Sequence, residues 1–111
     1  MPSYPLLEIA VIIGSQSFVG EALPDTGFDG DVIIPLSVGE EVLKGSEEVV
    51  LQVADGFDIL VEARGGELLL ADRSFEVAVR ALGDEYLIGR GVLDQLEICF
   101  EFGRSVRVRF E

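Results

Sequence analysis

The chain has no histidine and a single cysteine, Cys99. A Ser-His-Asp or Cys-His nucleophile therefore lacks its base, and no ligands are clustered at the spacing of an ordinary zinc site. Acid–base chemistry is left to the carboxylates, of which there are 21. Most of these must be solvated surface charge, so only local context can single one out. Asp25 has that context, because Asp25-Thr26-Gly27 lies between the apolar stretches Phe18–Leu23 and Val32–Ile34. A carboxylate in a tight loop between two core strands can be held rigidly. Thr26 adds a hydroxyl for hydrogen bonding, and Gly27 permits unusual dihedral angles and close backbone approach. The tripeptide by itself is equally compatible with an ordinary loop, since all three residues favour turns.

The elements around Asp25 read as short strands. Val and Ile are abundant, Gly recurs, and the apolar runs are mostly four to seven residues long, a pattern of many strands joined by tight turns. Leu6–Ile13 and Phe18–Leu23 flank the turn-rich spacer Gly14–Ser17, and Val32–Ile34 ends at Pro35, which lacks an amide donor. Residues 36–48 carry Gly39, Gly45 and two Glu pairs, and read as a surface loop or one short helical turn without function. Val49–Val53 and Phe57–Ala63 meet at Ala54-Asp55-Gly56, where Asp-Gly marks a hairpin tip. Leu68–Leu70 and Phe75–Val79 form a second hairpin around Ala71–Ser74. Tyr86–Ile88 is a further strand, Val92–Leu96 the best helix candidate, and Glu97–Phe102 with Ser105–Phe110 a last hairpin.

At 111 residues the chain fits one domain, spanning residues 1–111, with a single core. Apolar residues make up 49% and charged ones 26%, a globular balance. No run approaches the about 18 apolar residues of a membrane span, and the N-terminal stretch lacks the features of an export signal. A soluble, cytoplasmic protein with no membrane partner is expected. Eight basic against 21 acidic residues give a formal charge of −13, which repels a phosphate backbone and argues against nucleic acid. Arg107 and Arg109 alternate with Val106 and Val108, as on the solvated face of a strand, and Arg104 precedes them. Cys99, between Ile98 and Phe100, reads as a structural thiol.

The segment Ala22-Leu23-Pro24-Asp25-Thr26-Gly27-Phe28-Asp29-Gly30-Asp31-Val32-Ile33-Ile34-Pro35 resembles the active-site segment of retropepsin-like aspartic proteases, especially the small stand-alone bacterial and archaeal members. Leu87-Ile88-Gly89-Arg90-Gly91-Val92-Leu93 is similar to their second signature, and Ala54-Asp55-Gly56 lies between the two where that family has its flap hairpin. The resemblance covers about residues 6–102. It implies an all-β fold, a closed barrel with one short helix near the C-terminus, acting as a two-fold homodimer. One Asp-Thr-Gly per chain implies that Asp25 and its symmetry mate form the catalytic pair, activating water for peptide-bond hydrolysis with no metal and no organic cofactor.

By the same resemblance Thr26 and Gly27 support the loop, and Phe28, Asp29, Ala54, Asp55 and Gly56 contact an extended peptide or protein substrate. Arg90 is expected to pair with Asp29, and Phe28, Val32, Ile34 and Leu87 to give the groove apolar walls. Two residues depart from the family pattern: Pro24 replaces an aliphatic residue, and Gly91 an Asn or Asp. They support the alternative of a dimeric module that keeps the fold and binds peptides without cutting them.

Overall fold

The computed structural model describes residues 6–43, 47–52, 56, 58–101 and 105–110. Nine strands and two short helices follow in chain order: β1 (Leu7–Ile13), β2 (Gln16–Pro24), β3 (Val32–Ile34), α1 (Leu36–Val42), β4 (Glu47–Gln52), β5 (Asp58–Leu70), β6 (Arg73–Ala81), β7 (Tyr86–Ile88), α2 (Arg90–Leu93), β8 (Leu96–Glu101) and β9 (Ser105–Phe110). In β1 the residues Leu7, Ile9, Val11 and Ile13 are buried and alternate with more exposed positions, the period-two pattern of a strand with one face in a core. In β6, Phe75, Val77, Val79 and Ala81 do the same.

Six strands close on themselves in the order β1-β2-β7-β3-β6-β5, with β5 returning to pair with β1; β4 extends the sheet outward from β5. The result is a closed barrel, filled by the inward-facing side chains of Val11, Ile13, Val32, Ile34, Leu68 and Val79. Burying each contributes about 1.5–3 kcal/mol. The hairpin β8–β9 forms a separate two-stranded sheet, in register from Leu96↔Phe110 to Glu101↔Ser105. Among the described residues no helix is long and apolar enough to cross a membrane.

Several elements differ from the sequence reading. The spacers Gly14–Ser17 and Ala71–Ser74 shrink to two-residue turns, since Gln16 pairs with Ile13 and Arg73 with Leu70. Each turn has a positive φ, 61° at Gly14 and 53° at Ala71. The two strands expected at 57–63 and 68–70 belong, over the described residues, to one strand of 13 residues, β5 (Asp58–Leu70), running straight through Gly65-Gly66. Its first half pairs with β4; from Ala63 onward it pairs with β6, and from Glu67 onward also with β1. The glycine pair therefore marks where β5 enters the closed part of the ring. A Cβ on Gly66 would lie 2.8 Å from the Ile12 carbonyl oxygen.

Where a loop or one short helical turn was expected, Leu36–Val42 is a seven-residue helix, so the described residues include two short helices rather than one. Seven residues cannot sustain a helix alone; α1 exists because Val42 and Leu43 are buried and Gly39 lies against the Ala81 methyl group. The second helix begins at Arg90, two residues earlier than expected, and ends at Leu93. Gly89, in extended conformation, serves as its N-cap without a side-chain oxygen, which removes the usual sequence signal for a helix start.

The two adjacent glycines of β5 should respond oppositely to a methyl group. Gly65→Ala meets no atom within 4 Å and should stabilise by about 0.5–1 kcal/mol, through a smaller entropy loss on folding. Gly66→Ala should destabilise by about 1–3 kcal/mol. Urea midpoints of the two variants check both signs.

Tyr86 covers Gly20, where a Cβ would lie 2.5 Å from the ring. Partial burial raises its phenol pKa above the ordinary 10.0, because the charged form is poorly solvated there. Above that pH the unfolded chain gives up this proton first, so the stability the neutral phenol contributes at lower pH is lost as pH rises through the folded-state value. Urea midpoints at about pH 9 and about pH 11 should fall less steeply in Tyr86→Phe than in the parent.

Candidate active site

The loop that carries Asp25 connects β2 to β3, and β7 lies between those two strands. β7 runs parallel to β2, with Leu23↔Leu87 and Pro24↔Ile88, and antiparallel to β3, with Val32↔Ile88 and Ile33↔Leu87. Residues 25–31 must therefore arch over the end of β7. The Asp25 amide donates to the Ile88 carbonyl at 2.8 Å, the first bond after the strand ends. This also accommodates Pro24. Amides alternate in direction along a strand, so an N–H at position 24 would face away from β7, toward the side where the first β1–β2 pair is Leu7↔Ala22. The missing donor takes no bond from the β2–β7 ladder.

Within the loop, Phe28 N–H donates to the Asp25 carbonyl at 3.2 Å and closes a tight turn. Gly27 N–H donates to Asp25 Oδ1 at 2.9 Å, so one carboxylate oxygen is fixed by backbone. Asp25 is half-buried, while Thr26 and Gly27 are exposed. From the other side, Gly89 N–H donates to the Asp31 carbonyl (2.9 Å), Arg90 N–H to that of Phe28 (2.8 Å) and Gly91 N–H to that of Gly30 (3.0 Å). Together with the Asp25 amide, four main-chain bonds clamp the loop to Ile88–Gly91. The approach is so close that a Cβ on Gly89 would collide with the Gly30 carbonyl and the Phe28 ring.

The expected ion pair between Asp29 and Arg90 does not form: both side chains are exposed, and among the described residues none pairs with either. Arg90 holds the loop through its main-chain N–H instead. The carboxylate that ties the loop to the barrel is Asp31, whose Oδ2 accepts from Ala78 N–H of β6 at 2.8 Å. Gly91 belongs to this tether, since a Cβ there would run into Asp31 Oδ1. A larger residue at 91 and the Asp31 carboxylate in this position exclude one another, which accounts for the glycine. Nothing local in the sequence marks Asp31, because its partner is 47 positions away.

Phe28 is only 8% exposed and packs with Ile33 and Val61, against which Ile59, Leu82 and Leu87 also pack. Val32 and Ile34, expected on this side, belong to the main core, and Ile33 faces Phe28 in their place because successive residues of β3 point to opposite faces. Three of these residues, Ile59, Val61 and Leu82, also line an open groove of about 420 Å³ whose other wall is α1, through Leu36, Gly39 and Glu40. Of the expected hairpin tip, Gly56 is exposed with φ 89°, and Ala54 and Asp55 lie outside the described residues.

The site is thus a carboxylate held by backbone on a clamped loop, next to an apolar wall. A scan against protein-family models and a search of curated proteins each return no match.

If Asp31 rather than Asp29 anchors the loop, the two substitutions separate. Asp31→Ala leaves a part-buried N–H unsatisfied and should destabilise by about 1–3 kcal/mol. Asp29→Ala, at an exposed position, should stay within about 0.5 kcal/mol of the parent. Urea unfolding of both variants measures the difference.

Proposed function

We propose that the protein is an aspartic endopeptidase of the retropepsin-like kind, in which two copies of the chain bring their Asp25 loops together on a two-fold axis. The observation that carries this reading is the presentation of Asp25. It is fixed by Gly27 N–H and by the Ile88 bond, it is accessible, and it lies at the head of a loop clamped by four main-chain hydrogen bonds. Such rigidity is what an acid–base group requires, because misplacement by a fraction of an ångström forfeits its effect. The six-stranded closed barrel supports the same reading.

A single carboxylate cannot both activate water and assist the carbonyl, so the second group comes from the partner copy. In the pair, one carboxylate takes a proton from the water as its oxygen attacks the peptide carbonyl carbon. The other, protonated, donates to the carbonyl oxygen, giving a tetrahedral diol. Transfer of a proton to the amide nitrogen then lets the C–N bond break, releasing an amine and a carboxylic acid and returning the pair to its shared-proton state. Thr26, exposed beside Asp25, would hydrogen-bond across the axis. The β4–β5 hairpin would cover an extended peptide lying against Phe28 and its apolar neighbours.

Cleavage of a diverse peptide library by the parent and by Asp25→Asn, from about pH 4 to about pH 7, with the dimer followed by sedimentation, tests this. Activity should fall by about a hundredfold to ten-thousandfold in the variant while the dimer persists. A folded dimer that cleaves nothing in either form would make it a peptide-binding module, and a monomer at all concentrations would remove the paired-carboxylate mechanism.

A further inference from the structure

Arg80 is held in a way that the fold does not use. It stands in β6 opposite Ile33 of β3 and Ala63 of β5. Its neighbours Val79 and Ala81 point into the core, so its own side chain leaves the barrel on the face occupied by Phe28, Ile33 and Val61. The guanidinium carbon lies 5.9 Å from the centre of the Phe28 ring. A terminal nitrogen sits where a Cβ on Gly30 would have to go. Nε is buried and has no hydrogen-bond partner among the described residues. No carboxylate among the described residues pairs with the group: Asp31, the nearest along the loop, is committed to Ala78 N–H, and Glu40 lies across the groove on α1.

This is an unusual position for a cation in a chain with 21 acidic and 8 basic residues. Burying part of a guanidinium without a partner is costly, and stacking on an aromatic face recovers only part of that while leaving the N–H edge unused. A planar fork fixed on a ring, with free donors, is the arrangement that takes a carboxylate in two parallel hydrogen bonds. It lies beside Phe28 and Gly30, a few residues beyond Asp25 on the same loop, and next to the groove that Phe28's cluster helps to form.

We propose that Arg80 is the specificity residue of the face beside Phe28 and Gly30, and that it receives the side-chain carboxylate of an Asp or Glu in an extended peptide lying there. The inference rests on the face beside Phe28 being the peptide site, as in the proposed function. It goes further in naming an acidic residue as what the site selects, against the repulsion of an acidic protein for an acidic ligand.

Two pools of extended peptides with amidated C-termini test it, one carrying Asp and Glu and the other the matched Asn and Gln. Blocking the C-terminus ensures that only a side chain can supply the carboxylate. At sub-saturating concentration the parent should cleave the acidic pool about tenfold faster or more. The ratio should fall to about one in Arg80→Met and be partly retained in Arg80→Lys, which keeps the charge but not the fork. Cleavage of both pools at equal rates by the parent, or a preference that survives Arg80→Met, overturns the assignment. Should Arg80→Met fail to fold, loss of most of the preference in Arg80→Lys supports it and full retention overturns it.

Binding of the same pools to Asp25→Asn by calorimetry separates the two proposals. An acidic preference that depends on Arg80, with no cleavage by the parent, retains Arg80 as the anchor and removes the protease. Cleavage without acidic preference does the reverse.

Discussion

The placement of β7 between β2 and β3 is the constraint on which the rest of this structure depends. The three residues of β7, Tyr86–Ile88, all pair with β2, and Leu87 and Ile88 pair with β3 as well. Because β7 is parallel to one neighbour and antiparallel to the other, the chain leaving β2 must pass over its end before entering β3. The connection cannot be a simple hairpin. Its main-chain groups need partners away from both strands, and they find them in Ile88–Gly91, where β7 gives way to α2. The hydrogen bonds that satisfy the loop are therefore the same ones that hold Asp25 still.

Such close approach between two backbone segments leaves no space for side chains, and the glycines at 89 and 91 follow from it. Gly91 is tied to a second feature, the Asp31 carboxylate that caps the Ala78 amide of β6. The loop is thus anchored to three strands: to β7 and the start of α2 by main chain, to β6 by Asp31, and to β3 by continuity. A side-chain ion pair from Arg90 is not needed, and both Arg90 and Asp29 remain at the surface. The arrangement also determines what surrounds the carboxylate. With Val32 and Ile34 turned into the barrel, Ile33 meets Phe28, and the wall beside the loop is built from β3, β5, β7 and Phe28 itself.

Much of this was legible in the residues. Alternation in β1 and β6, the short apolar run Val32–Ile34, and the Asp-Gly signal between β4 and β5 place most of the strands, because a side chain's environment in a half-buried strand repeats every second residue. The Asp25 loop was legible for a similar reason: an Asp-Thr-Gly between two apolar runs is a local pattern. What misled were positions where local chemistry and tertiary demand diverge. Gly65-Gly66 reads as a break but lies within a continuous strand, paired there with β6. Residues 36–48, with two glycines and two Glu pairs, read as a surface loop or one short helical turn, and Leu36–Val42 forms a seven-residue helix because Val42 and Leu43 find a place in the core. Gly89-Arg90-Gly91 carries no capping side chain, yet it starts a helix.

By itself, then, the sequence determined the β character of this protein, the strand that precedes Asp25 and the one that follows it, and the choice of a carboxylate as the only plausible acid–base group. Those properties depend on residue types and on neighbours within a few positions. Only the tertiary structure decided that the ring closes through β1 and β5, that Asp31 rather than Asp29 is the tether, that Gly91 makes room for it, and that Arg80 lies over Phe28 with no partner among the described residues. Each of these is a meeting of groups far apart along the chain, such as Asp31 with Ala78 or Ile12 with Gly66, and a one-dimensional pattern contains no term for the distance between them.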